Sequence, residues 1–379
     1  MAVERLQINP AVLTWARKRA GLSLDEAKHF GRIDEWESGT SSPTYAQLEG
    51  LASGLKIPIS VFFFPEPPDV PDIKKSFRTL PDAELESIPS RVRLLVSKAK
   101  AFQLNLAELT DSKNPAKRQI IQDIKLSTND DIVVAADKVR AYLGISLDDQ
   151  QKFKTDDDAL KAWRDALQAV GVFVFKDAFK TNDFSGFCLY DETFPLIYVN
   201  NSSTKTRQMF TLFHELAHLL FQTSGIDTLS SDYIDRLGGD QKAIEIFCNA
   251  FAAEFLLPQK ALAEAMKGRK HDEATATELA NRFHVSREVI FRRFLDQGAI
   301  TLKTYREAAT RWAQQRGAGG APGGDYFWTK LAYLGRDYVS LAFDEYRRNR
   351  ITETQLANFL DIKPKSLAGL EEHFERGSS

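Results

Sequence analysis

Histidine is scarce in this sequence, six residues in 379, and cysteine is scarcer, with two. Cys188 and Cys248 are far apart and in no CxxC spacing. That excludes a disulfide framework and a cysteine-built zinc site, and it suits a reducing, cytoplasmic compartment. No run of eighteen apolar residues occurs, so no membrane-spanning helix is expected. The opening MAVERLQINPAVLTWARKRAG scatters charges among its apolar residues, unlike a signal peptide. A one-sided charge is missing too: 50 basic against 52 acidic side chains leave a net charge of −2. Any contact with nucleic acid must therefore come from a local patch. What is plentiful is phenylalanine, 26 residues, in a chain that is 43% hydrophobic. Packed cores follow from that, and the length suffices for two or three domains.

The periodicities predict a mostly helical α+β protein. Residues 1–66 read as short helices: one after Pro10, one capped by Ser23 with Glu26 three residues on, and one after Pro43. The proline-rich EPPDVPD at 66–72 marks a boundary, followed by a helical linker region, 67–127. A third region, 128–300, holds helices around a small antiparallel sheet. Its strand signals are GVFVF at 171–175 and a hairpin of SGFCLY, 185–190, with PLIYVN, 195–200. The polar stretch 223–240 reads as loop, and a helix runs from about Gln241 to Leu257, stopped by Pro258. Residues 275–300 read as a helix–turn–helix pair. The C-terminal region, 301–379, contains a Gly-rich linker at 317–324 and helices around 326–349 and 353–360.

One motif carries chemistry. In TRQMFTLFHELAHLLFQ, His214 and His218 stand at i and i+4, so on a helix both imidazoles reach one ion. Glu215 lies beside the first, placed to act as general base toward a water activated by that ion. The surroundings are apolar, and such groups are costly to bury unless an ion or partner satisfies them. Chance alone yields HExxH in on the order of one chain in a hundred of this composition. A zinc site needs a third protein ligand, and no other histidine is close in sequence. Glu245, near the start of AIEIFCNAFAAEFLLP, is the leading candidate, although an acidic residue there also suits a helix N-terminus. Cys248 is a softer alternative, and Asp232, Asp235 and Asp240 are weaker ones. Glu254, nine residues on, faces elsewhere. Tyr198 and Asn200, on the strand before the helix, are candidate oxyanion or substrate contacts.

RQMFTLFHELAHLLF followed by EIFCNAFAAEFLLP resembles the ImmA/IrrE family of bacterial metallopeptidases, over roughly residues 128–300. The resemblance implies a zincin-like domain, a zinc-dependent endopeptidase activity, and Glu245 as third ligand. It further implies a protein substrate of the Xre-type repressor class, coupled to transcriptional or toxin–antitoxin-like regulation. One departure is Phe213, where the family carries Ala or Gly, which is expected to narrow the cleft.

The first 66 residues resemble an Xre (Cro/CI-type) helix–turn–helix domain, through AVLTWARKRAGLSLDEA and WESGTSSPTYAQLEGLASGLKIP. Between Leu22 and Trp36 the chain is about five residues short of that pattern, which truncates the recognition helix. Residues 1–60 carry seven basic and seven acidic side chains, so the electrostatic term that dominates DNA affinity is missing. DNA binding and docking onto a protein partner, a repressor or a toxin, both stay open. Two functions follow for the whole chain: an active zinc endopeptidase, or a non-catalytic DNA-binding or antitoxin-like protein whose zinc site is structural or vestigial. The intact Glu215 favours the enzyme, because a structural site needs no base.

Overall fold

Asn9 and Ser23 start the first two helices by accepting backbone N–H groups, from Ala11 and Glu26; Glu26 returns the bond, completing a capping box. The computed structural model describes residues 5–55, 57–68, 77, 88–228, 233–316 and 324–376. It divides into two units, Met1–Ala101 and Phe102–Ser379. In the first, Pro10–Arg19, Leu24–Ala27, Ile33–Glu37 and Tyr45–Leu55 are helical. They enclose Leu13, Ala16, Ile33, Trp36, Leu48, Leu51 and Phe62. Between Leu22 and Trp36 there is a four-residue helix, a 3-10 turn at Lys28–Phe30 and the start of a five-residue helix. Arg17 grips Glu37 with two parallel hydrogen bonds, 2.6 and 2.9 Å, and donates a third to the Leu22 carbonyl.

The second unit is mostly helical around one sheet of four strands, β1 (Phe173–Asp177), β2 (Phe184–Leu189), β3 (Leu196–Asn200) and β4 (Ile226–Thr228), in the order β1–β3–β2–β4. The expected hairpin is β2–β3, and β4 continues it antiparallel. β1 runs parallel to β3, so the sheet is mixed rather than wholly antiparallel. The reason is the crossover: β2 lies between β1 and β3 in sequence, and the chain returns to insert β3 between them. Its strands are buried on both faces, which is why they read as continuous apolar runs. Val174, Cys188, Ile197 and Val199 join the core beneath the helix Lys205–Leu220. Phe175, Phe187 and Tyr198 alternate to the other face, where Phe102, Phe179 and Tyr338 meet them.

Lys205–Leu220 is covered on its far side by Gly239–Leu256, against which Ile132–Leu143 also packs. The stretch expected as one helix over 326–349 breaks at Gly335 into Tyr326–Leu334 and Arg336–Arg347. The buried Arg164 donates to the carbonyls of Ala332 and Tyr333 there, capping the first helix. A last helix, Leu367–Arg376, was not read from the sequence. Residues 69–72 of the proline-rich stretch and 317–323 of the Gly-rich linker lie outside the described residues. No described helix is long and apolar enough to cross a membrane.

Candidate metal centre

Thr204 caps the helix Lys205–Leu220 by accepting from the Arg207 N–H, and the helix then runs unbroken to Leu220 with nearly every later side chain buried. Its one polar turn is His214, Glu215 and His218, which are 1%, 0% and 3% exposed. The imidazole Nε2 atoms of the two histidines stand 3.2 Å apart. Glu245, in the second turn of Gly239–Leu256, brings one carboxylate oxygen to 3.2 Å from His218 Nε2 and the other to 3.5 Å from His214 Nε2. Ligands about 2.0–2.1 Å from a tetrahedral ion sit about 3.3–3.4 Å from one another. The two imidazole nitrogens and the carboxylate oxygen nearest each of them keep about that spacing, so the residues fit an ion of that size held by two histidines and one glutamate. Among the described residues, the two histidines and Glu245 each offer a ligand atom, and these atoms all lie within 4.8 Å of one another.

Charge sorts the two carboxylates of the site. Burial by itself would raise the Glu245 carboxyl, but His218 and His214 override it and hold it well below the usual carboxylate range. Burial raises Glu215 to about 7, against the opposing pull of the two imidazoles. The buried Cys188 thiol hydrogen-bonds the Glu215 carboxyl. Glu215 is thus a buried carboxyl beside the trio and separate from it.

The other candidates go elsewhere. Tyr198 is stacked on Phe187, 5.1 Å between ring centroids, on the sheet face turned away from the helix, so it does not line the trio. Asn200 spends its side chain on backbone: it donates to Thr181 and Phe184 carbonyls and accepts from the Phe179 and Ser202 N–H groups. Both side chains are engaged within the sheet. Cys248, one turn after Glu245, is buried and hydrogen-bonds with His218, outside the trio. Asp235 is an exposed partner of Lys242, Asp240 is exposed at its helix start, and Asp232 lies outside the described residues. Glu254 pairs with Arg293 at 2.9 Å. Phe213 does not narrow the site: it stacks on Phe255, 3.9 Å between centroids, and meets Trp163 edge-on in the core.

Two features escaped the sequence reading, both in the stretch read as loop. Asp227 of β4 is buried and takes two hydrogen bonds from Arg207, 2.8 and 2.7 Å, and a third from Thr211. Gly225 lies against the His218 ring. A Gly and an Asp two residues apart in a polar stretch carry no periodic signal, so nothing in the sequence separated them from an ordinary turn.

Residues 167–295, which contain the trio and Glu215, match the model of the IrrE N-terminal-like domain. Over this segment, about a third of the chain, the protein is similar to the ImmA/IrrE family. The radiation response metalloprotease IrrE of Deinococcus radiodurans is 34% identical over 99 residues, 26% of this chain and 30% of the relative. Its namesake in Deinococcus deserti is 35% identical over 99 residues, 26% of this chain and 34% of that relative. The match spans about a third of the length of these IrrE relatives.

Proposed function

We propose that the IrrE-like segment is a zinc-dependent endopeptidase, with His214, His218 and Glu245 as metal ligands and Glu215 as general base. The observation that carries this reading is the convergence of two imidazole nitrogens and one carboxylate beside a second, fully buried carboxyl, Glu215. When bound, the ion supplies a Lewis acid that polarises the scissile carbonyl and acidifies water. Glu215 takes the proton of the attacking water, holds it in the dry pocket, and hands it to the departing amine nitrogen. Its raised proton affinity suits both halves of that task, acceptance and release near neutrality. Low exposure of the ligands is in keeping with the role, since ligands stand behind the ion they hold. A structural or vestigial site gives no reason to keep Glu215, whose burial costs stability.

The substrate we assign is a regulatory protein of the Xre-repressor type, following the family resemblance. For residues 1–66 the even charge balance, and the engagement of Arg17 by Glu37, favour protein docking over DNA recognition. The decisive experiment compares parent and Glu215→Gln proteins at matched zinc content against Xre-type repressors. Cleavage by the variant should be about 10²–10⁴-fold slower. Equal rates would remove Glu215 from the chemistry.

A further inference from the structure

The helix carrying both histidines ends at Phe221, and the chain reverses at once: Gln222 adopts a left-handed conformation, φ 60°. The Thr223 N–H and hydroxyl both donate to the carbonyl of His218, at 3.0 and 3.1 Å. Residues 224–228 then travel back alongside the helix they have just left, and each is fastened. The Ser224 hydroxyl accepts from the Tyr190 N–H. Gly225 and Cys188 bond in both directions, Cys188 N–H to the Gly225 carbonyl at 2.9 Å and Gly225 N–H to the Cys188 sulfur at 3.2 Å. Ile226 and Asp227 pair with Phe187 and Gly186 of β2. Asp227 is clamped by Arg207 and Thr211, both on the histidine helix, and Arg207 is steadied in turn by Ser185.

What this stitching presses onto is the ring of His218. A Cβ built on Gly225 would lie 2.5 Å from His218 Cδ2, 2.6 Å from Cγ and 2.9 Å from Nε2. The backbone of residue 225 therefore lies directly against the His218 imidazole. Glycine is required here for closeness, since its φ is not among the positive ones. On the wall formed by Gly239–Leu256, Cys248 and Glu245 both reach the ring. Interiors packed this tightly do not absorb an extra methyl group without moving a neighbour, and the neighbour here is a ligand atom.

We propose that residues 224–228 form a positioning strap for the metal ligand His218, with Gly225 as the contact and Asp227, held by Arg207 and Thr211, as the anchor. The inference rests on the reading of the trio as a metal centre. It is tested on the full chain with Gly225→Ala and Asp227→Asn. Zinc affinity is read by competition with a chromogenic chelator, beside the thermal midpoint of each metal-free protein. Gly225→Ala should bind zinc about 10–100-fold more weakly, the range for groups that orient a ligand from behind. Asp227→Asn should shift affinity in the same direction by less; both metal-free midpoints should fall, through overpacking and through the weakened Arg207 pair, with a folding transition retained. Unchanged affinity in Gly225→Ala overturns the strap; if that variant does not fold, unchanged affinity in Asp227→Asn does so. Should the parent take up no zinc at all, the metal-centre reading fails. The strap is then decided by the imidazole ¹⁵N resonances of His218 in metal-free protein. They should be displaced in Gly225→Ala, and coincidence with the parent's overturns the strap.

Discussion

Each unit of the molecule draws a glutamate out of bulk water, one partly buried and one fully, and the two are treated in opposite ways. Glu37, in the first unit, has both carboxylate oxygens bonded by the guanidinium of Arg17. Glu215, in the second, is deeper and faces the Cys188 thiol where Glu37 faces a guanidinium. A buried charge that is paired contributes to architecture, because removing one partner strands the other. A buried carboxyl met only by a weak thiol donor works against the fold, and its position beside two imidazoles and Glu245 gives the reason it is kept. The same contrast holds within one helix: Glu254 is tied to Arg293 and to the Gln259 N–H, Glu245 to the two histidines.

The largest expected effect falls on the second unit. Zinc at a thousandfold excess over its Kd should stabilise it by about 4 kcal/mol, a gain absent from His214→Ala in denaturant titrations with and without the ion. Next comes the paired carboxylate. Arg17→Ala should cost about 3 kcal/mol, seen as a lower midpoint of the first unit's transition; a cost near zero would make the pair incidental. Opposite in sign and smaller, Glu215→Gln should raise the stability of the metal-free protein by about 1 kcal/mol, since a neutral amide is cheaper to bury than a carboxylate. Calorimetry that shows a loss instead would mean Glu215 has a structural role. Smallest of all, Arg347→Ala should change stability by no more than about 0.5 kcal/mol. Its partners Glu371 and Glu375 are largely in water.

How far these features could be read in advance depended on periodicity. His214, Glu215 and His218 declare themselves by i, i+4 spacing on an apolar helix, and Glu245 by its place on the next apolar helix. Tyr198 was misplaced for a physical reason. Strands buried on both faces lose the alternation that tells inside from outside, so Tyr198 and its neighbours Ile197 and Val199 looked equivalent. β4 is three residues long, too short for any pattern, and Asp227 within it reads as a loop acid. Gly225 matters through a contact with a ring seven residues earlier, made after a chain reversal at Gln222. The parallel register of β1 was hidden for a related reason, because pairing order is set by the crossover and not by the strand's own residues.

The account stands or falls on the ligand triangle, and X-ray absorption at the zinc edge of the loaded protein reads it directly. It predicts nitrogen and oxygen scatterers only, at about 2.0–2.1 Å, with the outer-shell signature of two imidazoles, one of which disappears in His218→Ala. A sulfur scatterer at about 2.3 Å would bring Cys248 or Cys188 into the coordination sphere and contradict the assignment of His214, His218 and Glu245.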